Sequence, residues 1–431
     1  MSNQDLLARS LAAVWHPCTQ MKQHEQFPLI PIDHAEGVWL VDCDGNRYLD
    51  GVSSWWVNLF GHNNPRIRAA IEAQLGKLEH VLLAGFTHEP VVALSERLSA
   101  LTQHQLGHCF YGSDGASATE IALKMSAHYW RNEGHEHKTQ FLALAGSYHG
   151  ETMGALGVTD VALFRDAYAP LIRMSATIPA PDLRFPGTQE RSLAALENHL
   201  QQHHQHLAAF IMEPLIQAAS GMVFHQPEFL REASRLCEQY QVHFIADEIA
   251  VGFGRTGSFF AHQQAGITPD FLCLSKGITG GYLPLSVVMT RHSIYQAFYH
   301  DNTARGFLHS HSYTGNALAC SAALAVLDIF AADDVINTNQ QRLPALNRIA
   351  QPLQQHQAIT HFRNRGMIWA FDVVGAAPDF ARCFHQAALK REVLLRPVGH
   401  TVYFMPPYTI SNDEFTRMVT ATLGALNEVL S

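Results

Sequence analysis

No C-x-x-C pair occurs in these 431 residues, and the seven cysteines are odd in number and scattered: Cys18, Cys43, Cys109, Cys237, Cys273, Cys320 and Cys383. That distribution excludes a disulfide framework and suits reduced thiols in a cytosol. No apolar run approaches the ~18 residues that suggest a membrane span. Basic residues are in deficit, 29 Lys and Arg against 38 Asp and Glu for a net charge of −9, so the basic stripe of a nucleic-acid binder is missing. The start, MSNQDLLARSLAAVWHP, has neither a basic n-region nor a small-residue cleavage site, and is not expected to be a signal peptide. Internal repeats and low-complexity linkers are also lacking. What remains is ordinary for a globular protein, 47% apolar and 16% charged. The expectation is a soluble cytoplasmic protein with neither nucleic acid nor membrane as partner. Histidine alone is abundant, with 27 residues, densest in His203-His204-Gln205-His206. Neighbouring side chains on a helix point in different directions, so this run does not converge on one ion and no metal is expected.

The length predicts two or three domains. Near the start, EGVWLVDCDGNRYLDG places Asp44-Gly45 between two β-prone runs, a hairpin signal; residues 1 to about 55 read as short strand-like pieces and turns. From about 65 to 330, helix and strand alternate. Pro65–Leu75, Glu89–Leu101 and Gly115–Trp130 read as helices, as does Pro227–Tyr240. Thr139–Ala145, Leu207–Glu213, Val242–Asp247 and Phe271–Ser275 read as buried strands. That succession predicts an α/β fold with a mostly parallel sheet covered on both faces. Beyond 330 a smaller unit follows, with a helix over Asp333–Gln355, strands around Met367–Val374 and Val402–Phe404, and a closing helix from Asn412. Residues 61–330 are therefore expected to form a large domain. Residues 1–60 and 331–431 are expected to pack together as a small α+β domain, neither end being long enough to fold well alone.

Two apolar runs end in charge where a strand gives way to a loop: Val242–Ile249 (VHFIADEI) with Asp247, and Asp270–Ile278 (DFLCLSKGI) with Lys276. Open α/β sheets bind ligands beyond the carboxyl ends of their strands. An amine and a carboxylate delivered there suit pyridoxal phosphate: the lysine condenses with the aldehyde, and the aspartate holds the ring nitrogen protonated. At ~4 Å and an effective dielectric of ~20 such a charge pair is worth roughly 4 kcal/mol before desolvation. In Tyr111–Glu120 (YGSDGASATE), Ser113, Asp114, Gly115 and Ala116 precede a helix whose free amides form a phosphate site. Gly146–Gly150 (GSYHG) puts Tyr148 where it can lie on a pyridine ring, with His149 supporting it. Glu213 ends LAAFIME as a third strand-end carboxylate.

In their order these residues resemble the fold-type I, class III pyridoxal-phosphate aminotransferases. The family's D-E-[IV] segment matches Asp247-Glu248-Ile249, and its G-x-G-R-T-G loop matches Gly252–Gly257 (GFGRTG). Its S-K-[GA] lysine, about 30 residues past the aspartate, matches Lys276, 29 residues on. Ser312–Asn316 (SYTGN) matches the loop that reaches the phosphate of the neighbouring subunit, which implies a homodimer with a shared active site. The resemblance implies a large domain on a mostly parallel seven-stranded sheet. It also implies catalysis by Lys276, Asp247 and Tyr148, and cofactor contacts from Ser113, Asp114, Gly115, Ala116, Tyr148, His149, Glu213, Asp247, Ile249, Lys276 and Ser312. Within the family the chain is most similar to the biotin-pathway members. The signs are Trp15-His16-Pro17, Ser53-Ser54-Trp55-Trp56, Gly277–Gly281 (GITGG), and Arg396-Pro397 followed by Tyr403-Phe404-Met405-Pro406-Pro407-Tyr408. That implies S-adenosylmethionine as amino donor and 8-amino-7-oxononanoate, an aliphatic keto acid with a terminal carboxylate, as acceptor. Trp55 and Trp56 offer an apolar trough. Arg396 can grip the carboxylate bidentately, with Arg255 a second anion contact. Tyr148, Lys276, Ser310, His311 and Tyr403 complete the implied substrate contacts. Adjacent positions in a strand would point to opposite faces, so Trp55 and Trp56 need not both line the pocket. The chain departs from the family pattern twice. Cys18 replaces the usual aromatic of the donor-side motif, and His311 replaces a proline, which is expected to loosen its loop. An ω-amino-acid or diamine transaminase, lysine as donor to the same acceptor, an aminomutase and a non-catalytic vitamin binder stand as the alternatives.

Overall fold

Leu207–Met212 (LAAFIM) and His243–Asp247 (HFIAD) are buried at every position, the condition of strands covered on both faces. The structure, a computed structural model, describes residues 1–431. These two strands lie inside a seven-stranded sheet. Its spatial order is His108–Gly112, Ser286–Thr290, Phe271–Leu274, His243–Asp247, Leu207–Met212, Gln140–Leu144, Ala176–Ile178. Neighbours pair parallel, except that Ser286–Thr290 runs antiparallel to both its partners. The mostly parallel, seven-stranded sheet expected of the chain is therefore what it forms. Helix Gly115–Asn132 turns Ala118, Ile121, Ala122 and Met125 into a core shared with Ile211, Ile245, Phe271 and Val288 of the strands.

By Cα packing the chain divides into two compact units. One comprises Met1–Pro65, Arg342–Asn364 and Ile368–Ser431, and the other Arg66–Gln341 with Arg365–Met367. The large sheet belongs to the second. In the first, Trp39–Asp42 and Arg47–Asp50 form the expected hairpin, with Gly45 at φ 88° in its turn. Val393–Leu394 adds in parallel beside Arg47–Asp50, so early and late parts of the chain share one sheet. Ile368–Val373 pairs antiparallel with Thr401–Phe404. The last helix, Asn412–Leu430, starts on a capping box of Ser411 and Glu414.

Two elements near the start of the chain are among those that differ from expectation. Asn3–Ala13 is a helix, with a capping box of Ser2 and Asp5. It buries no residue. Ser53–Trp56 is not a strand. All four residues have positive φ (50°, 45°, 71° and 75°), which makes them one turn of left-handed helix. No helix of the chain is long and apolar enough to cross a membrane.

Candidate active site

The carboxyl edge of the large sheet collects the polar residues. Asp247 closes its strand with 3% of its surface exposed, and both carboxylate oxygens are engaged. Oδ2 lies 2.6 Å from His149 Nδ1, and Oδ1 accepts from the Ile249 amide at 3.1 Å. His149 thus stands behind the carboxylate rather than in open space. It is fully enclosed and held by two threonines: its amide donates to Thr159 Oγ1 at 3.0 Å, and its carbonyl accepts from Thr119 Oγ1 at 2.8 Å. Glu213 follows the next strand and is buried. It accepts from the amides of Tyr148 at 3.2 Å and Ala218 at 3.0 Å. Burial pushes its pKa up to about 7, with His149 opposing and Asp247 adding to the rise.

Lys276 lies two residues past the strand Phe271–Leu274, at φ 48°, a left-handed conformation that costs a β-carbon-bearing residue free energy and is found at functional sites. Ser275 fixes the turn by donating to the Leu285 carbonyl at 2.8 Å. Burial lowers the Lys276 pKa to about 8, with Asp247 and Glu213 opposing. A lysine so shifted holds a usable fraction of free amine near neutral pH.

Beyond the strand His108–Gly112, Asp114 caps the following helix by accepting from the Ser117 amide at 2.9 Å and hydroxyl at 3.0 Å. The amides of Gly115 and Ala116 take no acceptor from the protein, as at any helix start. Two glycines let backbone close in around them. A Cβ on Gly150, at φ 121°, would lie 2.6 Å from Ala116 Cβ, and one on Gly115 would lie 3.0 Å from Ile249 Cγ2. Glu120, one turn along the helix, ties this corner together by accepting from the Gly154 amide at 2.7 Å and the Thr152 hydroxyl at 2.7 Å. Tyr148 is half-buried, its hydroxyl donating to Glu151 at 2.8 Å and its ring edge-on to Phe164. The donor set fits pyridoxal phosphate. Ser113 and two unused amides suit a phosphate, a buried carboxylate suits a ring nitrogen, and an amine of lowered pKa suits an aldehyde.

His311 does not leave its loop loose. Its Nδ1 lies 3.1 Å from Ser113 Oγ and its Nε2 3.1 Å from His309 Nε2, while its amide donates to Thr314 Oγ1 at 3.0 Å. Ser310 and Ser312 are exposed, and the Ser312 carbonyl is taken by His80. Arg255 is fully buried, and its carbonyl accepts from the Met367 amide.

In the other unit the left-handed turn splits the two tryptophans. Trp55 is 46% exposed, with the Arg396 guanidinium 4.8 Å from its ring centroid. Trp56 is buried and donates from Nε1 to Tyr403 Oη at 3.0 Å. Burial pushes the Tyr403 phenol up to about 12. Two residues that sequence reasoning did not single out brace this turn. Asp50 accepts from Ser54 Oγ at 2.7 Å and the Val52 amide at 3.3 Å, and His62 Nε2 lies 3.0 Å from the same carboxylate. Neither has a local signature, nor do Thr119, Glu120 and Thr159, whose partners outside their own helix lie 9 to 35 residues away.

A family model described as aminotransferase class-III matches residues 19–426. The chain is 47% identical over 436 residues to the adenosylmethionine-8-amino-7-oxononanoate aminotransferase of Helicobacter pylori, covering 99% of this chain and 98% of that protein. The crystal structure of the enzyme of the same name from Methanocaldococcus jannaschii superposes with a TM-score of 0.94 at 32% identity, covering 99% of each chain. An amine transaminase from an uncultivated Pseudomonas species, solved in the PLP-bound form, superposes with a TM-score of 0.91 at 30% identity, covering 97% of this chain and 99% of that one. Matched over nearly its whole length, and with this donor set along its sheet edge, the chain belongs to the class-III aminotransferases, enzymes that work with pyridoxal 5′-phosphate.

Proposed function

We propose that this protein transfers the amino group of S-adenosylmethionine to 8-amino-7-oxononanoate, giving 7,8-diaminononanoate for biotin synthesis. The observation that carries the reading is the pairing of Arg396 with the exposed face of Trp55. A cation beside an aromatic plane suits an aliphatic chain that ends in a carboxylate. The near full-length similarity to proteins named for that reaction supports it. Bound pyridoxal phosphate supplies an aldehyde that takes the amino group and a ring that accepts the electron pair left when a carbon–hydrogen bond ionises. Lys276 Nζ anchors the cofactor. As a free amine, Lys276 would move the proton from the donor's α-carbon and, in the second half-reaction, would move one onto the acceptor carbon. Asp247 keeps the ring nitrogen protonated, and His149 Nδ1 orients that carboxylate. Ser113 and the amides of Gly115 and Ala116 hold the phosphate, with Asp114 capping the helix that carries them. Ile249 packs against that helix start. Tyr148 lies against the ring, and Glu213 fixes the Tyr148 backbone. Arg396 grips the acceptor's carboxylate, Trp55 lies along its chain, and Trp56 with Tyr403 backs the Trp55 turn. Arg255, Ser310 and His311 are further substrate contacts.

The protein acts in the cytoplasm as a homodimer, in which Ser312 reaches the phosphate of the neighbouring subunit. The exposure of Ser312 supports this, as do Leu308 and Tyr313 on either side of it at 77% and 67% exposure. A second reading, an ω-amino-acid or diamine transaminase, is favoured by the likeness to the Pseudomonas amine transaminase. Cys18, exposed at the donor-side motif, keeps lysine as an alternative donor to the same acceptor. Adding candidate donors to loaded enzyme and following the cofactor's visible absorbance separates these readings. S-adenosylmethionine should bleach the band, and 8-amino-7-oxononanoate should then restore it. Bleaching by ornithine, γ-aminobutyrate or a diamine, with no response to S-adenosylmethionine, overturns the proposal.

A further inference from the structure

The histidine run His203-His204-Gln205-His206 does not converge on itself, but one of its members meets a partner a turn back along the chain. His204 Nδ1 lies 2.9 Å from the Leu200 carbonyl, and His206 lies edge-on to His137 with ring centres 6.3 Å apart. His203 closes the helix Thr188–His203, and His199 stands four residues before it. Residues at that spacing are neighbours on one helix face. Their ring centres are 4.6 Å apart, with the planes inclined at 45°.

That separation has a chemical meaning. Metal–nitrogen bonds of about 2.0–2.1 Å put an ion about 3.2 Å from the centre of each imidazole that binds it, so two rings at a right angle around one ion have centres about 4.5 Å apart. The pair thus has the spacing of adjacent ligands on a square-planar or octahedral ion. No side-chain hydrogen bond within the protein engages either imidazole, so each can turn whichever nitrogen an ion requires toward it. His203 is exposed and His199 half-buried, which leaves the site open to solvent. Burial lowers the His199 pKa, and His203 adds to the fall. An imidazole kept neutral has a lone pair to give. The last turn of a helix, with its carbonyls directed outward, also favours a cation.

We propose that His199 and His203 form a binding site for a divalent transition-metal ion of the class that imidazole takes, nickel, copper or zinc. The two rings supply neighbouring positions and water completes the coordination. No third His, Cys, Asp or Glu joins them, so magnesium and calcium, which take oxygen ligands, are refused. The helix end leads into the strand Leu207–Met212 at its amino end, so this site lies at the sheet edge opposite Asp247 and Lys276.

The probe is nickel chloride, titrated calorimetrically into untagged full-length protein with its cofactor bound. One ion per chain should bind ahead of any others. Loss of even an outer partner of a metal ligand costs about 10- to 100-fold in affinity, so H199N and H203N should each weaken that binding at least as far. H204N and H206N should leave it in place. Nickel should also raise the melting temperature of wild type and not of the H199N/H203N pair, and magnesium should do so in neither. The visible absorbance of bound cofactor checks that each variant is folded. Nickel binding that survives in H199N or H203N overturns the proposal, as does binding that disappears in H204N or H206N, or a wild-type protein that takes up no nickel.

Discussion

Replacing Asp50 by alanine should open the left-handed turn at Ser53–Trp56. Left-handed helix costs about 1–2 kcal/mol per residue, so four residues store roughly 4–8 kcal/mol. Side chains hold that conformation closed. Asp50, with none of its surface exposed, accepts from Val52 N, Ser54 Oγ and His62 Nε2. Ser54 is at the surface and can turn to water, so its share is small. The other two bonds reach a charged acceptor at about 1.5–3 kcal/mol each, for a total of about 3–6 kcal/mol. Ser53 Oγ to the Met405 carbonyl and Trp56 Nε1 to Tyr403 add ~1 kcal/mol each. Clamp and strain are thus of similar size, and removing Asp50 tips the balance. The assay is amide hydrogen exchange across 52–58, where Trp56 and Val57 donate to the carbonyls of Val52 and Ser53. A loss of ~3 kcal/mol corresponds to exchange about 100-fold faster. The KM for the keto acid should rise with it, because Trp55 leaves its place beside Arg396. The visible absorbance of bound cofactor serves as the control for the rest of the fold. Unchanged exchange in D50A would refute the idea that this carboxylate holds the turn.

Gly150→Ala sets a β-carbon 2.6 Å from Ala116 Cβ at a φ closed to L side chains, so cofactor affinity should fall at least about 10-fold by titration, with a stability cost of about 1–3 kcal/mol. Glu213, with its folded pKa raised to about 7, contributes stability that is present below pH 4.5 and lost as pH rises through 7. Denaturation of cofactor-free protein should therefore show wild type losing about 3 kcal/mol relative to E213Q across that window. Lys276, lowered to about 8, should attach the cofactor faster as pH rises through that value, and K276A should give no covalent band at any pH. Arg396→Gln should raise the KM for 8-amino-7-oxononanoate by about 10-fold or more while leaving the donor half-reaction near its normal rate; equal losses in both would argue against a carboxylate grip.

The strands of the large sheet were readable because each is a continuous apolar run, closed by a charge or by turn residues. Leu207–Met212, His243–Asp247 and Phe271–Leu274 all fall within one residue of the predicted bounds. Lys276 and Asp247 could be singled out for the same reason, since a charge at a strand's end is a local feature. Asn3–Ala13 escaped notice, and no face of it is buried. The left-handed turn at Ser53–Trp56 is not legible in the sequence because its conformation is imposed from elsewhere in the chain and not by its own propensity.

Local patterning alone determined the kind of sheet and put Asp247 and Lys276 at the carboxyl ends of its strands. Only the tertiary structure decided how those residues are braced. His149 meets Asp247 across 98 residues, His311 meets Ser113 across 198, and Trp56 meets Tyr403 across 347. A hydrogen bond between such distant residues depends on the path of the whole chain. It leaves no trace in the composition or period of either segment, whereas burial of a strand is written into every residue along it.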